Sequence, residues 1–188
     1  MSRRVLITGA AGLVGGILRR HWGDRFALRL ADVVPVPDSA AHEEPFVFDM
    51  TRRADCAAAC AGIDTVVHLA ADAGSEDFDG SLLPRNIVGP LYLLEAAAAA
   101  GCRRVVLASS IYAVRGHGPE PPVTPERPVF PQGTYGATKC WAEALARDVS
   151  ARSGLSCIAV RLGNPRFDQG GDWDPEAPSY MISPRDTA

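Results

Sequence analysis

Three glycines spaced three apart join an apolar run to an amphipathic one, and this junction limits the possible folds more than any other feature. Thr8-Gly9-Ala10-Ala11-Gly12-Leu13-Val14-Gly15 follows the strand-like run Arg4–Thr8 and opens Gly12–Trp22, where Leu13, Ile17 and Leu18 recur at helical spacing. Gly9 permits a tight turn, Gly12 lets the main chain approach a pyrophosphate, and Gly15 lets the helix pack closely on the sheet. A diphosphate would rest on the amides at the helix N-terminus, with Ala11, Leu13 and Val14 in the same cradle. The strand and helix that such a glycine pattern requires on either side are both present.

Asp32 ends the next apolar run, about 20 residues on, where an acid hydrogen-bonds the ribose hydroxyls of NAD. An NADP site would call for a cation, and Val33 follows instead, so NAD is the expected cofactor. Asp49-Met50 follows a third apolar run, where an adenine ring would lie; helix capping ahead of Thr51 is an equally open reading of Asp49.

Beyond the first unit, strand-like and helix-like runs keep alternating. Strands are expected over Ala27–Leu30, Pro45–Phe48, Thr65–Leu69, Arg103–Ala108 and Ser156–Arg161. Helices are expected over Thr51–Ala61 (capped by Thr51), Leu82–Ala100 and Thr134–Ser153. Pro90 should kink the long helix or start a new segment. The strands are continuous apolar runs, as when both sheet faces are covered. The pattern predicts an α/β fold, a Rossmann-type doubly wound parallel sheet with helices on both faces. Residues 1–164 would form the NAD-binding domain with the catalytic residues. Residues 165–188 would begin a C-terminal substrate-binding part that is truncated, because Ser183-Pro184-Arg185-Asp186 has the form of a helix start and only two residues follow.

Tyr135-Gly-Ala-Thr-Lys139 places a phenol and an ammonium on one helix face. A neighbouring cation would lower the phenol's pKa and suit it to acid–base work between carbonyl and alcohol. Ser109-Ser110 follows the fifth strand, at the carboxyl end where ligands bind in parallel sheets.

Taken together, TGAAGLVG (8–15), LAD (30–32), FDM (48–50), HLAA (68–71), NIVG (86–89), LASS (107–110) and YGATK (135–139) resemble the extended short-chain dehydrogenase/reductase family, also called the NAD-dependent epimerase/dehydratase family. The resemblance implies that Ser110 polarises a substrate oxygen, Tyr135 moves a proton, and Lys139 holds the nicotinamide ribose and tunes Tyr135. It also implies that Leu69, Ala70 and Ala71 pass the cofactor by main-chain contact and that Asn86 supports the nicotinamide end. Within the family, NIVGPLYLLEAA, YGATKCWAEALA and RLGN are most similar to uronate dehydrogenases. Three positions depart from them: Ile111-Tyr112 replaces an Asn-His pair, and Ala73 and Asn164 each replace a serine. Substrate contacts are therefore sought at Ala73, Ile111, Tyr112 and Asn164. Arg166 lies near the place where a carboxylate would be held, and Arg115 and His117 could meet a carboxylate or phosphate. Tyr112 could line a pocket or pack under the proline loop. His68 reads as structural, and Trp173 and Tyr180 support no assignment.

Three outcomes fit these residues: an NAD-dependent oxidoreductase acting on a secondary alcohol or carbonyl of a sugar-like substrate, an epimerase or dehydratase, or a dinucleotide binder without turnover. The resemblance also implies a homodimer through a four-helix bundle of Leu82–Ala100 and Trp141–Ser153. A net charge of −3 without a basic tract argues against nucleic acid as a partner, and no apolar run is long enough to span a bilayer. Five cysteines without repeated spacing suggest reduced cytoplasmic thiols and no metal site. Arg115–Gly133, with six prolines, and Gly163–Ser183 read as long loops.

Overall fold

The computed structural model describes residues 3–118, 124–165 and 181–182. Six strands form one sheet: β1 (Arg4–Thr8), β2 (Ala27–Asp32), β3 (Glu43–Val47), β4 (Thr65–His68), β5 (Arg104–Ser110) and β6 (Ser156–Leu162). Every pairing is parallel, in the order β3-β2-β1-β4-β5-β6. The chain winds outward in both directions from the β1/β4 junction, and the crevice at the carboxyl ends of those strands is where such sheets bind ligands. This is the doubly wound order expected. Asn164–Pro165 and Met181–Ile182 form a separate short parallel pair, β7 and β8.

Successive strand residues feed two cores, which is the period of two at work. Val5, Ile7, Leu28, Leu30 and Val67 pack with Leu18 of α1 (Leu13–Trp22). Leu6, Ala31, Val66, Val105 and Leu107 pack on the opposite side with α2 (Arg53–Cys60), α3 (Gly89–Ala99) and α4 (Gly133–Ser153). Helices therefore cover both faces. The outer strands depart from the expected burial: β3 and β6 lie at the sheet edges, and Ile158 and Val160 are exposed. Pro45 is tolerated within β3 because an edge strand can forgo one ladder donor.

Element boundaries shift in ways that matter for the site. β2 runs past Leu30 to include Asp32, and β5 runs past Ala108 to include Ser110. Thr51 is not the cap of α2; the helix starts at Arg53, and the Thr51 hydroxyl donates to Asp49 Oδ1 at 2.7 Å. The other end of α2 is closed by buried Arg29, whose Nη1 donates to the carbonyls of Ala58, Ala59 and Ala61 while Nε and Nη2 donate to Glu44. The single helix expected over Leu82–Ala100 is two segments. Phe78–Val88 is a π-helical stretch, with Leu82 N–H bonding to the Asp77 carbonyl and Gly89 N–H to that of Pro84. α3 then begins with Pro90 in its first turn, the new segment that Pro90 predicts.

Candidate active site

The glycine turn is shaped by close approach. Gly9 has φ +71°, and a Cβ there would lie 2.8 Å from the Ala70 nitrogen. A Cβ on Gly15 would lie 2.7 Å from both Cα and O of Ala10. These are backbone atoms that cannot swing aside, so the turn is held against the loop after β4 and α1 is held against the turn. Gly12 caps α1 without a side-chain bond, leaving the first-turn amides facing the crevice. Asp32 locks the same turn from β2, accepting the Ala11 N–H on Oδ2 at 3.0 Å.

The loop after β4 is fixed from beneath. Thr8 Oγ1 accepts the Ala70 N–H and lies 2.8 Å from Nδ1 of buried His68. Burial, with Lys139 adding to it, pushes the His68 imidazole down to about 3. Further along, Asn86 exchanges two bonds with the Asp72 main chain, accepting its N–H at 2.8 Å and donating to its carbonyl at 2.7 Å. Asn86 also donates to Thr138 Oγ1 and is only 2% exposed. Its side chain thus braces the loop from behind.

A cleft of about 880 Å³ runs from the glycine turn to α4. Gly9, Gly12, Leu13, Val14 and Gly15 line one end; Ser110, Tyr135 and Lys139 line the other. Lys139 is buried and donates to the Ala108 carbonyl at 2.9 Å; its nitrogen is 5.5 Å from the centre of the Tyr135 ring. Burial pushes the Lys139 ammonium down to about 8. Burial also pushes the Tyr135 phenol up, and the Ser110 hydroxyl draws it back. This corrects the expectation of a phenol lowered by its lysine: desolvation of the phenolate dominates, and the counteracting group is the serine.

A smaller cavity of about 230 Å³ adjoins the glycine turn and is lined by Asp32, Asp49, Met50 and Ala70. Leu69 and Ala71 border both spaces. Asp49 lines this cavity, and its carboxylate accepts Thr51 N–H at 2.9 Å, which holds it below the usual carboxylate range; it does not cap α2, whose N-cap is Arg52. Of the residues sought for substrate, Ala73, Ile111 and Tyr112 line the cleft. Asn164 begins β7, Ala11 serves through its N–H, and Asn86 does not reach the lining. Arg166, Trp173, Tyr180 and the helix start at Ser183 lie outside the described residues.

The model of the NAD dependent epimerase/dehydratase family matches residues 5–166. The chain belongs to this family. Uronate dehydrogenase of Pseudomonas putida is 32% identical over 163 residues, 86% of this chain and 60% of that protein. NAD-dependent glucose-6-phosphate dehydrogenase of Haloferax volcanii is 34% identical over 182 residues, 87% of this chain and 69% of that protein. A tyrosine-to-alanine mutant of uronate dehydrogenase from Agrobacterium tumefaciens, complexed with NAD, superposes with a TM-score of 0.82 at 34% identity, over 87% of this chain and 62% of that one. The chain thus spans about three fifths of the first of these relatives.

NAD is the cofactor of this family member, and the cradle fits it: a turn that tolerates no Cβ, open helix amides and an acid at the end of β2. Sequence reasoning missed Arg85 at the adenine end and Ser75, Glu76, Gln132 and Thr134 along the cleft. Thr134 adjoins Tyr135 in the first turn of α4 and could have been found from that spacing. The others are brought in by loops whose path carries no local signal. Among the described residues, no group of side chains could hold a metal ion, and no helix is long and apolar enough to cross a membrane.

Proposed function

We propose that the protein is an oxidoreductase that moves a hydride between NAD and a secondary alcohol or carbonyl of a sugar-like substrate. NAD, when bound, accepts or returns the hydride at its nicotinamide ring. Tyr135 takes the alcohol proton on its phenol oxygen in oxidation and returns it in reduction. Ser110 donates its single hydroxyl proton to the substrate oxygen. Lys139, anchored on Ala108, supplies a donor for the nicotinamide ribose. Asp32 holds the adenosine ribose, and the main chain from Gly9 to Gly15 holds the diphosphate.

The observation that carries this reading is the meeting of Ser110, Tyr135 and Lys139 at one end of a cleft whose other end is the glycine turn. The substrate class is supported by relatives named for uronate and for glucose 6-phosphate. Epimerisation uses the same residues with hydride leaving and returning, and the family description includes it. A screen of uronates, aldoses, sugar phosphates and sugar nucleotides with NAD tests the proposal. NADH absorbance that vanishes in Tyr135→Phe supports it. Epimer formation without net NADH transfers the assignment to epimerase. NAD binding with neither product leaves only a dinucleotide binder and refutes the enzyme reading.

A homodimer through a four-helix bundle of Leu82–Ala100 and Trp141–Ser153 is part of the proposal. Leu83 and Trp141 are exposed on the π-helical segment and α4. Sedimentation giving a clean monomer would remove it.

A further inference from the structure

Three consecutive residues of β5 are read by three residues of α4 spaced four apart. The Ala108 carbonyl accepts from Lys139 at 2.9 Å and the Ser109 hydroxyl donates to Glu143, while Ser110 lines the cleft with Tyr135 and is the group that draws its phenol down. Two of these pairs belong to the site described above; the middle pair does not. Glu143 is 6% exposed and lies one turn beyond Lys139. Its other bonds go to β6: Arg161 Nε donates to Oε1 at 3.0 Å and Nη2 to Oε2 at 2.9 Å. Arg161 in turn donates from Nη1 to the Arg127 carbonyl at 3.2 Å. Buried carboxylates without a hydrogen-bonded partner are costly. This one is fully partnered, bidentate to Arg161, and so forms a rigid post.

A post at Ser109 constrains its neighbours on both sides, because Ser109 shares one rigid peptide plane with Ala108 and the next with Ser110. We propose that Glu143 is a positioning residue: by holding Ser109 it sets the register of residues 108–110 that presents the Ala108 carbonyl to Lys139 and the Ser110 hydroxyl to Tyr135. The inference rests on the roles given to Ser110 and Tyr135 above. Glu143 touches neither the phenol nor the cleft's nucleotide end and acts through Ser109. The titratable and charged groups around this cluster are Arg161 from β6, Cys140 and Arg147 from α4, and, on the phenol's side, Tyr112, Arg115 and Lys139.

The test reads the phenol itself and needs no substrate. Tyrosinate absorbance of the purified protein with NAD is followed against pH, and the Tyr135→Phe titration is subtracted so that one phenol remains. Ser109→Ala and Glu143→Ala are expected to move this titration alkaline by about half a unit or more, because Ser110 no longer sits squarely on the phenol. Glu143→Gln, which keeps an acceptor for Ser109, is expected to stay near the wild type. The double variant should shift no further than either single one, since both break one linkage. An unmoved Tyr135 titration in folded Ser109→Ala overturns the proposal, whatever happens to its melting temperature. If Glu143→Ala does not fold, Ser109→Ala, which deletes one hydroxyl, decides alone. Failure of the sugar screen would leave this readout intact, so the two proposals fall separately.

Discussion

Lys139 reaches from α4 to the Ala108 carbonyl of β5, 2.9 Å from its ammonium, and so places a buried cation 5.5 Å from the centre of the Tyr135 ring. Burial holds its folded value at about 8, below its ordinary 10.5. Between those two values the unfolded chain binds a proton that the folded chain does not. Stability should therefore rise with pH across that window, by up to about 3 kcal/mol at roughly 1.4 kcal/mol per unit, and the cost is fully present below pH 8. Lys139→Met should abolish the rise while losing turnover. Urea denaturation of both proteins at several pH values between 7.5 and 10.5 checks this; parallel curves would contradict the buried cation.

Tyr135 makes the complementary prediction for rate. Its phenol lies above the ordinary tyrosine value because burial opposes the phenolate, and Ser110 is the group that lowers it. A base in that condition is mostly protonated at neutral pH, so oxidation of an alcohol should speed up as pH rises. Ser110→Ala should lower kcat by about 10²-fold and move the alkaline rise of the kcat–pH profile further upward. A profile that is flat from pH 7 to 10 (about three units of the relevant range) would argue against phenol-limited proton transfer.

Gly15→Ala is expected to destabilise the fold by roughly 1–3 kcal/mol, because the new methyl meets the Ala10 backbone at 2.7 Å and α1 must lift off the turn. Gly9→Ala adds a positive φ of +71° to its clash with Ala70 and should cost at least as much. Gly16→Ala is the control: its new Cβ would meet only the end of the Arg20 side chain, at 3.4 Å. Chemical denaturation and NAD calorimetry on the three variants check the ranking; equal behaviour would mean that the turn is looser than its geometry implies.

Much of this was legible in the chain itself, for identifiable reasons. Gly9, Gly12 and Gly15 announce the turn because only close approach demands glycine at that spacing, and Tyr135 and Lys139 are local on one helix. Strand positions followed from continuous apolar runs, while strand ends were missed where polar residues such as Asp32 and Ser110 carry the ladder onward. The π-helical segment from Phe78 was hidden because its i to i+5 bonding matches no 3.6-residue pattern, and Pro84 lies inside it. Asn86 illustrates a different limit: its place in the sequence is as the family resemblance implies, yet its amide is spent on Asp72. Ser109, Glu143 and Arg161 lie on three elements and meet only once the sheet is assembled.

Asp32 governs the choice of dinucleotide in two ways. Its Oδ2 fixes the Ala11 N–H, and its charge would repel a 2′-phosphate at the same ribose. Asp32→Asn retains an acceptor for Ala11 but not the charge. It should weaken NAD binding modestly and raise affinity for NADP by about tenfold, seen as a change in the ratio of dissociation constants by calorimetry. Asp32→Ala should weaken NAD binding more, because the turn itself loosens. If Asp32→Asn leaves the ratio untouched, the carboxylate is not the discriminator.

His68 sits at the end of β4 with its Nδ1 on Thr8 and is pushed down to about 3, first by burial and then by Lys139. Its ordinary value is 6.5, so as pH falls below that the unfolded chain takes up a proton the folded ring refuses. Stability present at neutral pH should be lost progressively from about pH 6.5 toward 3, with a ceiling of about 5 kcal/mol from this one ring. The ring also holds Thr8 Oγ1, and Thr8 Oγ1 holds the Ala70 N–H against Gly9, so the same protonation would loosen the floor of the cofactor turn. His68→Gln can still hydrogen-bond to Thr8 but cannot titrate there. It should be less stable than the wild type at pH 7, by about 1–2 kcal/mol, and should lose less on going to pH 5. Thermal unfolding of the two proteins from pH 7.5 to 4.5 checks the convergence of the curves. A constant gap between them would show that His68 is not the group whose burial sets the acid limit of this fold.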